Sequence, residues 1–129
     1  IFDCLVGSEM CIRDRQRAQS LGLADKLSVH RDLSSTGDVR FDAVVCLDVL
    51  EHLPDPSAQL LEFHQRMAPG AIALLNWYFF KGHKGEYPFH FDDPALVDGF
   101  FRTLQAQFLE VFHPLLITAR LYRSLDGSD

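Results

Sequence analysis

The stretch Phe41 to Pro56, FDAVVCLDVLEHLPDP, constrains the fold more than any other part of the chain. Ala43 to Leu47 is a continuous apolar run preceded by Phe41, the pattern of a strand covered on both faces in a parallel sheet. Asp48 ends that run. Ligands of open α/β sheets bind outside the carboxyl ends of the strands, so Cys46, Leu47 and Asp48 are expected to point toward one. Asp55 followed by Pro56 places an N-cap carboxylate before a proline at the first helical position, where its missing N–H costs nothing. The helix that starts there runs through SAQLLEFHQRM, with Leu60, Leu61, His64 and Met67 at helical spacing, and stops at Ala68-Pro69-Gly70. Ala71 to Trp77 reads as a second buried strand.

Upstream, Gln16 to Leu23 reads as a helix end closed near Gly22, Lys26 to His30 as a short alternating strand, and Arg31 to Arg40 as a polar loop. Downstream, an aromatic connection from Tyr78 to Phe91 leads to Asp92-Asp93-Pro94, a second carboxylate-then-proline helix start. Leu96, Phe100 and Leu104, with Phe101 and Phe108 on the adjoining row, give that helix an apolar face. Phe108 to Phe112 and Leu115 to Tyr122 read as two last strands joined at His113-Pro114, and 124–129 as a polar tail. There is no internal repeat and no low-complexity segment.

With 129 residues, 47% hydrophobic and eleven of them phenylalanine, the chain can form one core. Its net charge of −6 argues against electrostatically driven binding to nucleic acid or an anionic membrane. No apolar run approaches the ~18 residues of a membrane span. Of three cysteines, Cys4 and Cys11 lie in an unusual leader, so no disulfide framework is expected and a cytoplasmic setting follows. That leader, Leu5 to Arg15 (LVGSEMCIRDR), resembles the in-frame translation of a transposon-end adapter used in short-read sequencing libraries, and Cys4 fits the codon before it. Residues 1–15 are accordingly expected to be non-native and are excluded from fold reasoning. The other reading is a genuine segment leading into a helix.

Phe41 to Gly70 resembles the fourth strand and following loop of the class I S-adenosylmethionine-dependent methyltransferases. The family pattern of Phe-Asp, buried strand, Leu-Glu-His, Asp-Pro and Pro-Gly-Gly is matched except that Ala71 replaces the second glycine. The ubiquinone-biosynthesis-type small-molecule O-methyltransferases are the nearest pattern. The resemblance implies an α/β, Rossmann-like sheet of seven strands whose last enters antiparallel. Residues 16–123 would be its C-terminal two-thirds, strands three to seven, with the first strand and the glycine-rich cofactor loop missing. Such a fragment is expected to hold cofactor poorly and to leave an unpaired apolar strand edge.

The cofactor implied is S-adenosyl-L-methionine. By resemblance, Asp32 would accept a hydrogen bond from the adenine amino group, Leu33 would pack on the ring, and Leu47, flanked by Cys46 and Asp48, would contact the methionine part. An exposed loop carboxylate and ordinary strand packing are the plainer alternatives. His52 is the catalytic candidate: an imidazole titrates near neutrality and can remove a proton from an acceptor hydroxyl as its oxygen attacks the methyl group. Glu51 and His52 can instead brace the loop to Pro56.

No metal is expected, since His83, Glu86, His90, Asp92 and Asp93 are spread along a loop without a compact ligand motif. Trp77, Tyr78, Phe79, Phe80, Tyr87 and Phe89 suggest either an acceptor-facing lid or an aromatic loop packed over the sheet edge. The expected function is methyl transfer to a small-molecule acceptor, with no nucleic-acid partner. A non-catalytic methyltransferase-like binding module is the alternative, and a nicotinamide-dependent dehydrogenase a weaker third.

Overall fold

The computed structural model describes residues 8–30 and 32–125. The chain divides into two compact units, Ile1–Val39 and Arg40–Asp129, each described by itself.

In the first unit, helix α1 (Ser8–Ser20) crosses the boundary expected at residue 15. It closes as predicted at Gly22, whose φ of 71° suits a residue without a Cβ. The Leu23 N–H donates to the Ala18 carbonyl at 2.8 Å and the Gly22 N–H to that of Gln19 at 3.2 Å, the paired bonds of a Schellman end. The strand expected at Lys26–His30 does not form. The Lys26 and Leu27 amides are spent on the Leu23 carbonyl in a turn, and two alternating apolar residues cannot hold a strand without a ladder partner. A short 3-10 turn, Leu33–Thr36, follows.

The second unit contains strand β1 (Phe41–Cys46), a 3-10 turn at Leu50–His52, helix α2 (Pro56–Arg66), strand β2 (Met67–Leu75), helix α3 (Pro94–Gln107) and strands β3 (Phe108–Val111) and β4 (Arg120–Ser124). Both predicted helix starts are present. Asp55 accepts the Ala58 N–H at 3.1 Å and Asp93 the Ala95 N–H at 2.9 Å, each with proline next in sequence. Such a cap contributes about 1 kcal/mol.

The sheet order is β1-β2-β4-β3. β1 and β2 run parallel, whereas β4 is antiparallel to both of its neighbours, so the last strand enters as the resemblance implies. The β1–β2 register slips between Phe41/Met67 and Ala43/Ile72, which places Ala68-Pro69-Gly70 in a bulge at the start of β2. The last strand is shorter than expected, beginning at Arg120 because residues 112–119 form a turn-rich connection. Ser124, expected in the tail, is buried in β4.

α2 and α3 pack on each other and on one face of the sheet. His64 of α2 meets Phe108 of β3 edge-on at 5.7 Å, and Phe100 and Phe101 of α3 flank Trp77, which lies beside Tyr122 of β4. Leu50, Leu60, Leu75 and Phe100 are completely buried. Each contributes about 1.5–3 kcal/mol through removal of apolar surface from water. Leu60, Phe63 and Met67 carry the buried face of α2 and its end, whereas Leu61 turns outward.

The opposite face of the sheet corrects the expectation of double coverage. Val45 is 60% exposed, Leu109 56% and Ile72 41%, alternating with buried Cys46, Phe108 and Ala73. Both helices of this unit lie on one side, so within this unit an apolar run that reads as doubly covered is covered on only one face. Among the described residues β1 is also an edge strand.

Candidate functional site

Parallel pairing brings the carboxyl ends of β1 and β2 side by side, where Asn76 N–H donates to the Cys46 carbonyl at 3.3 Å. Asp48 follows with a φ of 59°, the left-handed region that a side chain with a Cβ rarely occupies. Two reciprocal bonds hold it. The Asp48 N–H donates to Asn76 Oδ1 at 2.6 Å, and Asn76 Nδ2 donates to Asp48 Oδ1 at 3.1 Å. Asn76 was missed in the sequence, although its signal was there: it ends the β2 apolar run as Asp48 ends that of β1.

The three strand-end residues differ in what they offer. Cys46 is buried, and that burial first, with the Glu51 carboxylate second, pushes its thiol up to about 12. It therefore remains a neutral thiol at neutral pH and does not act as a nucleophile. Leu47 is 42% exposed and presents apolar surface, and the Asp48 carboxylate is exposed beside it.

Beyond Asp48 the chain makes its 3-10 turn, in which Leu50 and Glu51 are buried and His52 is exposed. The brace to this turn comes from the aromatic connection, where the Phe91 N–H donates to the Glu51 carbonyl at 2.9 Å. That bond carries His90 to His52, their ring centroids 4.6 Å apart in an edge-on arrangement. His90 also stacks on Tyr87 at 5.0 Å and meets Tyr78 at 5.7 Å. The residues expected to form either a lid or an aromatic loop packed over the sheet edge thus divide. Trp77 and Phe79 pack against Phe100 of α3, Tyr78, Phe80 and Tyr87 join the outer cluster, and Phe89 is 81% exposed.

In the connection, Gly82 has a φ of 88°, and a Cβ there would run into the Glu86 side chain. Glu86 accepts the Lys84 N–H at 3.0 Å, closing the turn. A separate cleft of about 320 Å³ lies between α3 and strands β3 and β4, walled by Trp77, Phe101, Phe108 and Tyr122, with the Arg120–Glu110 ion pair at 2.6 Å among its lining. It contains none of the sequence-predicted site residues.

Asp32 and Leu33 belong to the first unit. Asp32 caps the 3-10 turn there, its Oδ1 accepting the Ser35 N–H at 3.0 Å and the Ser34 hydroxyl at 2.6 Å, and Leu33 is buried. Cys46, Leu47, Asp48 and His52 lie in the second unit, at one end of its sheet.

The methyltransferase domain family model matches residues 3–98. Ubiquinone biosynthesis O-methyltransferase from Pseudomonas syringae pv. tomato is 44% identical over 45 residues, which are 35% of this chain and 19% of that protein. The same enzyme from Psychrobacter cryohalolentis is 39% identical over 44 residues, 34% of this chain and 17% of that protein. The aligned part therefore spans less than a fifth of these relatives. Among solved structures, a protein assigned as an rRNA methylase from Clostridium thermocellum superposes with a TM-score of 0.63 at 15% identity, covering 96% of this chain and 71% of that one. Magnesium protoporphyrin IX methyltransferase from Synechocystis, solved with bound S-adenosylmethionine, gives 0.59 at 16% identity over 96% and 58%. These two share the fold. With the family model spanning most of its length, the chain belongs to the methyltransferase domain family.

Proposed function

We propose that the protein to which this chain belongs transfers a methyl group from S-adenosyl-L-methionine to a small-molecule acceptor. The observation that carries the reading is the family match over residues 3–98, within which the parallel strand ends present Leu47 and the clamped Asp48. In this reading Cys46, Leu47 and Asp48 border the methionine part of the cofactor, and Asp32 and Leu33 its adenine. The acceptor oxygen attacks the methyl carbon, the carbon–sulfur bond breaks, and sulfur keeps the electron pair as a neutral thioether. His52 receives the acceptor's proton. Alignment of oxygen and methyl supplies much of the acceleration, so loss of the base slows the reaction without abolishing it.

The net charge of −6 favours a small molecule over a nucleic acid as acceptor. The buried free thiol of Cys46 fits a cytoplasmic setting, and no helix among the described residues is long and apolar enough to cross a membrane.

The test uses a protein extended to the length of the curated relatives. Calorimetric titration with S-adenosylmethionine is expected to show one site, weakened about tenfold by Asp32→Ala, a loss of about 1.4 kcal/mol. Labelled methyl transfer to a panel of phenolic acceptors is expected to fall about 10²-fold or more with His52→Ala while cofactor binding is retained. Binding without turnover would make the protein a non-catalytic member of the family. Absence of binding would end the proposal.

A further inference from the structure

We infer that the cleft between α3 and strands β3 and β4 is a binding site for a free α-amino acid with an aromatic side chain. Its volume is about 320 Å³. Side chains alternate along a strand, so Phe108 and Glu110 of β3 share a face with Arg120 and Tyr122 of β4, Glu110 standing opposite Tyr122 in the antiparallel register. α3 covers that face. It contributes Phe101, Leu104 and Gln105, whose spacing puts them on one side of the helix, and Trp77, from the chain leaving β2, completes the wall.

The walls select a ring. Trp77 meets Phe101 edge-on at 5.6 Å and Tyr122 at 6.1 Å with the planes tilted by 38°, so both faces and edges of aromatic groups border the cleft. A ring placed among them gains offset-stacked or edge-to-face contacts that an alkyl chain of equal volume does not. Small-ligand sites run from about 300 to 1,000 Å³, so this cleft takes a molecule of one or two rings.

The polar groups select what the ring carries. Arg120 Nη1 donates to Glu110 Oε1 at 2.6 Å, which leaves further N–H donors of the guanidinium fork unused and lone pairs of the carboxylate to spare. Tyr122 is only 4% exposed, and its hydroxyl has no hydrogen-bond partner among the described residues. A buried phenol ordinarily finds one. Burial first, with the Glu110 carboxylate second, pushes this phenol up to about 12, so at neutral pH it stands ready to donate. A cation beside an anion, with a neutral donor between the same walls, complements a zwitterion whose two charges sit on one carbon. The ligand carboxylate takes N–H bonds from Arg120 and the O–H of Tyr122, and its ammonium donates to Glu110. An acid alone would face the Glu110 carboxylate and an amine alone the Arg120 guanidinium, so each is disfavoured by a like charge. The Arg120 and Glu110 side chains are 63% and 48% exposed, and an ion pair so open to water is parted at little cost.

Binding is measured on the 129-residue chain directly, without reference to methyl transfer. Trp77 is the sole tryptophan, so its emission reports from the cleft wall. Titration with L-phenylalanine, followed by that emission and by calorimetry, is expected to show one site per chain. Phenethylamine, which lacks the carboxylate, phenylpropionate, which lacks the ammonium, and L-alanine, which lacks the ring, are each expected to bind about tenfold or more weakly. Arg120→Gln should weaken L-phenylalanine about tenfold while leaving phenethylamine no weaker than before, and Glu110→Gln should weaken L-phenylalanine while sparing phenylpropionate. Both positions are exposed, so neither change threatens the fold. Arg102→Gln, in an ion pair of α3 outside the cleft, should alter nothing. Absence of any response at about 10 mM L-phenylalanine would overturn the inference. So would equal binding of the three phenyl ligands, which would reduce the cleft to an unselective apolar groove, or undiminished binding in both Arg120→Gln and Glu110→Gln.

Discussion

Replacing Asn76 by alanine tests how the strand-end geometry at Asp48 is held. The substitution removes the 2.6 Å bond from the Asp48 amide and the 3.1 Å bond to its carboxylate. A hydrogen bond contributes about 0.5–1.5 kcal/mol net. Asp48 is exposed, so water replaces part of the loss, and relaxation of its φ of 59° offsets some of the remainder. The net cost works out at about 1–2 kcal/mol, or roughly 4–16 °C in Tm for a domain of this size. Asp48→Gly is the informative partner: it lifts the penalty of the left-handed backbone and deletes only the carboxylate, leaving the amide bond to Asn76 possible. Urea unfolding of the wild type, both single variants and the double variant then isolates the side-chain pair, with a coupling of about 0.5–1 kcal/mol expected. A loss below about 0.3 kcal/mol for Asn76→Ala, or strict additivity in the cycle, would show that the clamp does not hold the turn.

Three other outcomes follow from contacts described above. Burial, aided by Glu51 for Cys46 and by Glu110 for Tyr122, raises the Cys46 thiol from 9.0 and the Tyr122 phenol from 10.0, each to about 12. Both groups hold their protons more tightly folded than unfolded, so their contribution is complete below about pH 9 and is lost as pH rises toward 12. Urea midpoints should be level up to about pH 8.5 and fall beyond it, less steeply at first in Cys46→Ala, and a midpoint still level at about pH 11 would contradict this. His64→Ala removes the 2.7 Å bond from Nε2–H to the Leu125 carbonyl and the edge contact with Phe108, costing about 1–3 kcal/mol by urea unfolding. The exposed apolar face should drive self-association at high concentration, and Val45→Thr with Leu109→Lys should raise the monomer fraction in sedimentation velocity. Identical sedimentation of variant and parent would refute that role for the face.

What could be read from the sequence was local. Asp55-Pro56 and Asp93-Pro94 specify helix starts through atoms within four residues of one another, and both caps form. The apolar runs of β1 and β2 likewise announce themselves. Lys26–His30 and Leu115–Ala119 failed because a strand also needs a partner, and alternation cannot supply one. The covering of β1 failed for a related reason: a run of apolar residues tells what a strand could bury, whereas the packing of α2 and α3 decides which face is buried. The placement of Leu47, Asp48 and His52 at the carboxyl end of β1 could be read from a strand ending in polar residues. Asn76 and the pairing of His90 with Glu51 and His52 depend on contacts between distant segments, which periodicity does not encode.

The one-sided sheet also sets the thermal character of the second unit. Val45, Ile72 and Leu109 are already wetted in the folded state, so unfolding brings less new apolar surface into water than it would for a domain covered on both faces. The heat-capacity increment should therefore fall below the usual ~12–15 cal/mol/K per residue. A smaller increment bends the stability curve less, so warming and cooling away from the optimum erode stability gradually. Filling that face with apolar cover would restore the curvature along with the burial.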